Sequence, residues 1–419
     1  MRAHGVVLAL ERDAPFGDAL LRDGDASRYD LECGMAPLAH HALRAIASMR
    51  RHRCEKITVV CAGDAHASVA RERIERWRGE PSSALREAPT IDVVAADEGT
   101  DTARALAACE RFADETTTTL LVVQGDVVTD VALDDVLSTH LVNAATATCA
   151  LAKKRAWAEV ETKAGRAPKG MRYVGLNADE TRVVFLAGGE HDEAKKRLKL
   201  QRSALNATAE MVIRTDVIDV GIYALEARET FAALREKTHL KSLRFDLVPH
   251  FAAEQFRGTT AGGVAADMVK PDKYCVAVDT AKPALLEASR EIAAEFHHLL
   301  ERPLSKYDNV VDPSTVIGAK STIGPGCAVA GQCTFKDKCS VKKSVVAADC
   351  VFGSGVKISN SLILRGAVVH DGAQIQGCIV GPGAVIGARV TAKDSIIGAA
   401  YEVEEDADLD AETVVVQNK

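Results

Sequence analysis

The sequence predicts two folds in series: an α/β domain built on a mostly parallel sheet, then a left-handed parallel β-helix of hexapeptide repeats. Three observations lead there. Up to about Gln255, short apolar runs alternate with amphipathic ones, the pattern of a parallel sheet covered by helices on both faces. From Val311 onward apolar residues recur every six positions, the period of a triangular β-solenoid. A chain of 419 residues also exceeds one ordinary core. The divisions read as residues 1–270 for the α/β domain, 271–305 for a bridging strand and helix, and 306–419 for the β-helix with an acidic C-terminal tail.

In the first domain "GVVLAL", "ITVVCA", "IDVVAA" and "LLVVQGDVV" read as strands, with "PLAHHALRAIASMRRH", "ASVARERIERWRG" and "TARALAACERFA" as the helices between them. "VIDVGIYAL" is a further strand, followed by the helix "EARETFAALREK". The polar, Gly-bearing stretches "KAGRAPKGMR" and "LAGGEHDEAKKRLKLQRS" read as loops. They contain the basic segments at 163–172 and 194–202, whose roles the sequence leaves open. "KYCVAVDTAKPALLEASREIAAEFHHLL" starts as a strand and becomes an amphipathic helix, which Pro303 closes.

The hexad anchors are Val311, Ile317, Ile323, Val329, Phe335 and Val341, then after a slip Val346, Phe352, Ile358 and Leu364, then Val369 and Ile375, then Val380 and Ile386. Three hexads make one coil, and about five coils fit between Val311 and Ile397. Cys327, Cys333 and Cys339 fall four places after an anchor, in the small interior slot, where cysteine packs as a compact apolar group. That placement disfavours reading them as metal ligands.

Bulk properties exclude some functions. A net charge of −7 argues against direct nucleic-acid binding, which needs clustered Lys and Arg. The basic run "MRRHR" (Met49 to Arg53) reads as a solvated face. Apolar runs are too short for a membrane helix, and the N-terminus lacks the pattern of a cleavable signal, so a cytosolic, reducing compartment is expected.

Two short motifs carry chemistry. The strand "LLVVQGDVV" delivers Gly125 and Asp126 to the edge of the sheet where ligands bind. "DEGTDTARAL" places Gly99 and Thr100 in a turn between a strand and a helix. With "TATCALAKK", "SLRFDLVPHF" and the repeat segment "GSGVKISNSLILRGAVVHDGAQIQGCIVGPGAVI", these stretches resemble the sugar-phosphate nucleotidyltransferases. Within that group the chain is similar to the gamma-subunit family of eukaryotic translation initiation factor 2B. The resemblance implies a nucleotidyltransferase-like first domain, base contact at Gly99 and Thr100, and a magnesium-holding place at Gly125 and Asp126.

The same resemblance locates a departure. Active transferases carry a glycine-rich loop with an arginine, then Pro-Lys-Pro, because a triphosphate needs backbone N–H groups and cations around it. Here the stretch reads "LERDAPFGD", with Glu11 and Asp13 flanking Arg12, and "MAPLA" has Met35 and Ala36 before Pro37 and no lysine. "FLAGGEHDE" lacks the lysine of a later signature. The expectation is therefore a noncatalytic scaffold with no catalytic residue, no resident metal and no cofactor. Gly99, Thr100, Gly125 and Asp126 would be a vestigial nucleotide pocket, with Asp126 either ordering a turn or keeping a residual ligand contact. As partners the resemblance implies the epsilon and other subunits of the exchange factor, and initiation factor 2, with no membrane contact. The epsilon subunit itself is disfavoured, since its helical exchange domain would not fit after "YEVEEDADLD". The alternative is an active sugar-1-phosphate nucleotidyltransferase. A repeat-type acyltransferase is disfavoured because His370, next to the Val369 anchor, points outward.

Overall fold

The computed structural model describes residues 2–10, 20–21, 28–52, 54–79, 84–97, 99–113, 117–158, 171–188, 200, 202–208, 210–258, 260 and 262–416. The chain divides into two compact units, one of residues 1–13 with 41–277, the other of 14–40 with 278–419. The basic segments 163–170 and 194–199 lie outside the described residues.

The first unit is built on a seven-stranded sheet. Its strands are β1 (Arg2–Ala9), β2 (Cys54–Ala62), β3 (Thr90–Ala96), β4 (Thr117–Gln124), β5 (Ala147–Lys153), β6 (Val217–Glu226) and β7 (Val264–Met268). They lie in the order β7-β5-β6-β4-β1-β2-β3. All are parallel except β6, which is antiparallel to both β4 and β5. Leu120 to Val123 are buried on both faces of the sheet, which is why the central strands read as unbroken apolar runs. Helices α1 (Leu38–Ala47), α2 (Gly63–Gly79), α3 (Thr102–Ala108) and α5 (Ala227–Glu236) follow strands or turns where the amphipathic runs placed them, and α4 (Leu133–Val142) is one the sequence reading did not name. The basic run after α1 is partly structural: Arg50, Arg51 and His52 donate backbone N–H groups to the Asp134 carboxylate at 3.0, 2.9 and 2.7 Å.

In the second unit, short parallel strands stack into three sheets of seven, six and six strands, the left-handed β-helix that the hexads predicted. Anchors from Val329 to Ile386 are buried. One register differs from the sequence reading. Val346 pairs with Ile363, not Leu364, and Ile363 with Val380. The reason is geometric: the first coil is a full 18 residues, but from Ala328 onward successive coils are offset by 17, so one side of each later triangle is a residue short and the slip recurs in each of them. Ile317, in the first coil, is 44% exposed because no coil lies beneath it. At the other end the acidic stretch is itself coiled, with Glu402–Val403 and Asp408–Asp410 as strands.

The cysteines do more than fill space. Cys333, Cys339 and Cys350 donate their thiols to the carbonyls of Ala347, Gly353 and Leu364 at 3.1, 3.0 and 3.3 Å. Such bonds tie neighbouring coils together.

Candidate functional site

Six of the seven strands run the same way, so one edge of the sheet collects their C-terminal ends, the ligand-binding edge of an α/β sheet. There β4 ends in Gln124-Gly125-Asp126. The Gly125 N–H donates to Leu8 O at 2.9 Å, and Asp126 is buried at 4% exposure. β3 ends in the turn of Gly99 and Thr100, where the Thr100 N–H donates to Asp97 O at 3.0 Å. Gly99 sits at φ +78°, a left-handed conformation that favours glycine. β1 and β2 lie between β3 and β4, so the two predicted pairs share an edge at about three strand spacings, on the order of 14 Å.

A turn the sequence reading left without a role links them. In Lys241–Asp246, the Leu243 N–H donates to Thr102 Oγ1 at 3.0 Å, and Lys241 O accepts the Ala103 N–H at 2.7 Å. The next side chain, Arg244, is 5% exposed and donates Nη2 to Gln124 Oε1 at 2.7 Å. The turn is stiff, because Asp246 Oδ2 accepts the N–H groups of Lys241 and Ser242, both at 2.9 Å.

Arg244 lies among buried acids. β6 begins at this edge, and Asp219 Oδ1 accepts the Gly221 N–H at 2.8 Å while its Oδ2 accepts the Tyr223 hydroxyl at 2.7 Å. Burial alone would lower the pKa of the guanidinium, but Tyr223, Asp219 and Asp126 together outweigh it and raise the value. Burial, and next the charge of Asp219, push the Tyr223 hydroxyl well above its ordinary range, so the phenol stays protonated. Gly221 is required by space as well as by its φ of +84°: a Cβ there would fall 2.5 Å from Gln124 Oε1 and 2.9 Å from Arg244 Nη2.

Positive charge also reaches this edge from β5, which runs parallel to β4 and continues into Lys153, Lys154 and Arg155. The Arg155 guanidinium lies 4.8 Å from the centre of the buried Tyr274 ring.

The magnesium that the resemblance implies at Asp126 can be tested against these neighbours. They do not fit a resident divalent ion. The buried Arg244 already supplies a cation beside Asp126 and Asp219, and both Asp219 oxygens accept hydrogen bonds. Among the described residues no group of three His, Cys, Asp or Glu could hold a metal ion. Sequence reasoning missed Asp219, Tyr223 and Arg244; an acid inside the apolar run "VIDVGIYAL" was the one available signal among them.

Glu11, Arg12 and Asp13 lie outside the described residues. Met35 to Pro37 are described, in a hairpin of the second unit pairing Glu32–Cys33 with Ala36–Pro37. That hairpin is fastened by Arg365 Nη2 to Glu32 Oε1 at 2.9 Å and by the Gly34 N–H to Ser289 Oγ at 3.1 Å. His370 is exposed, and no helix of the described residues is long and apolar enough to cross a membrane.

Comparison with known families corrects the functional expectation. Residues 30–159 match the nucleotidyl transferase family, and residues 332–419 match the GMPPB C-terminal domain. No curated protein matches the chain. The two family matches overturn the resemblance to the initiation factor 2B gamma subunit. With it fall the noncatalytic scaffold, the epsilon-subunit and initiation factor 2 partners, and the place in translation initiation. The physical reason is that a six-residue period and a buried strand ending in Gly-Asp specify folds, and a fold hosts many functions. The argument from a missing phosphate cradle also rested on residues 11–13, whose structure is not described. What the chain resembles is a nucleotidyl transferase over its first part and a GMPPB C-terminal domain over its last coils.

Proposed function

We propose that the protein is a sugar-1-phosphate nucleotidyltransferase, joining the nucleotidyl group of a nucleoside triphosphate to a sugar 1-phosphate. The observation that carries the reading is the pairing, in one chain, of a nucleotidyl transferase match with a GMPPB C-terminal domain match. The second match makes GTP and mannose 1-phosphate the first pair to test, with GDP-mannose as product. An oxygen of the sugar phosphate attacks the α-phosphorus, the bond from that phosphorus to the bridging oxygen breaks, and pyrophosphate leaves with the electron pair. Such transfer depends on positioning and on neutralising charge.

This chain's residues can serve both needs. The turn of Gly99 and Thr100 would receive the base, and Gly125 with Asp126 would face the ribose and phosphates from the end of β4. The hairpin of Met35 to Pro37 offers no lysine, so Lys153, Lys154 and Arg155 are the cations we assign to the phosphates. All eleven cysteines are free thiols, which supports a reducing, cytosolic setting.

The test is release of pyrophosphate from GTP, supplied as its magnesium salt, with mannose 1-phosphate and then a panel of sugar 1-phosphates and other nucleotides. Sustained pyrophosphate release with at least one pair is the expected result. No release above an enzyme-free blank with any pair would refute the assignment.

A further inference from the structure

The disagreement between Asp126 and a resident metal has a positive content. We infer that Arg244 is a built-in cation at the sheet edge, taking beside Asp126 and Asp219 the place that a bound divalent ion would otherwise fill.

Three independent features support this. The first is position. Arg244 is on the turn that also holds Thr102, and it reaches Gln124, two residues before Asp126, at 2.7 Å. The second is burial. Gln124, Asp126, Asp219 and Arg244 are 4, 4, 4 and 5% exposed, and a carboxylate taken that far from water needs a cation or several donors beside it. Asp219 has its donors from Gly221 and Tyr223, and the guanidinium adds charge to both acids. The third is the space. Gly221 is bare of a side chain where a Cβ would strike both Gln124 Oε1 and Arg244 Nη2, so the backbone of β6 is shaped around the guanidinium.

The chemistry follows from the charge. A guanidinium is planar, permanently charged and weakly hydrated, which suits it to a buried pair. A divalent ion entering beside it would meet like charge and would have to displace donors from Asp219. Removing the guanidinium should therefore create affinity for a divalent ion where the native chain has little.

The inference concerns the same site as the proposed reaction, but its test needs neither nucleotide nor turnover. Failure of one therefore leaves the other standing. The full chain, its Arg244→Gln variant and the double variant Arg244→Gln, Asp126→Asn would be titrated with Mn²⁺ by electron paramagnetic resonance, with thermal melts run in parallel. Arg244→Lys, which keeps a cation, serves as a further comparison. Arg244→Gln should bind Mn²⁺ at least about tenfold more tightly than the native chain and should melt higher when Mn²⁺ is added. The double variant and Arg244→Lys should show neither effect. Native protein that binds Mn²⁺ and loses it on Asp126→Asn would overturn the inference, and that measurement decides even if Arg244→Gln does not fold. A folded Arg244→Gln with no gain in Mn²⁺ binding would overturn it equally.

Discussion

Gly221→Ala is the sharpest probe of the buried network. Two costs add at this position. The backbone sits at φ +84°, where an L-residue costs roughly 1–2 kcal/mol. The new Cβ would fall 2.5 Å from Gln124 Oε1, and although a glutamine amide is normally free to swing away, this one is buried and held by Arg244 at 2.7 Å. Moving it breaks a hydrogen bond to a buried charge, a further loss of about 1.5–3 kcal/mol. The expected destabilisation is therefore about 2.5–5 kcal/mol. Gly258→Ala is the matched control, because its φ is +70° and a Cβ there meets nothing within 4 Å, so it should show the backbone cost alone. Urea unfolding of both variants, followed through a signal from the first unit, measures the difference. Equal losses would show that the Gln124–Arg244 contact adds nothing and would refute the reasoning.

Two further expectations concern stability. His140 in α4 is 4% exposed, with Nδ1 3.1 Å from Thr148 Oγ1, and burial lowers its pKa from 6.5 to about 4. The unfolded chain takes up that proton first, so the contribution is complete above pH 6.5 and drains away as pH falls toward 4. It amounts to at most about 3 kcal/mol, and the native chain should lose more stability between pH 7 and pH 4.5 than His140→Gln does; parallel losses would remove His140 as the cause. In the β-helix, the rings of Phe335 and Phe352 stack with centroids 4.4 Å apart, so Phe352→Ala should cost the second unit about 3–5 kcal/mol, and a loss under about 1 kcal/mol in a thermal melt would mean the coils relax to fill the gap.

What the sequence disclosed followed from which interactions are local. The hexads were legible because each anchor answers to the same dry interior, and their period needs no distant partner. The 17-residue coil that holds from Ala328 onward was harder, since a single shortened side looks in sequence like an occasional slip until Val346 is seen beside Ile363 and Val380. Asp126 was legible because a buried parallel strand must end at the ligand edge. Arg244 was not: its partner Gln124 is 120 residues away, and nothing within "SLRFDLVPHF" says that its arginine points inward. Function was the least legible, because the features that fixed the folds do not distinguish a catalyst from a scaffold.

The buried arginine also bears on how a triphosphate would be received at this edge. Acids near a triphosphate repel it, by about 3 kcal/mol for two unit charges 5 Å apart at an effective dielectric of 20. Asp126 and Asp219 would each add such a cost if they stood alone. They do not, because the guanidinium between β4 and β6 offsets much of their charge before any ligand arrives, and it does so from below the surface, where salt screens it little. Lys153, exposed, and Lys154 and Arg155, half-buried, are the cations assigned to the phosphates. An edge arranged in this way divides two tasks between two sets of residues, one offsetting the protein's own acids and the other assigned to the substrate, and such a division is compatible with nucleotidyl transfer without a lysine beside Pro37.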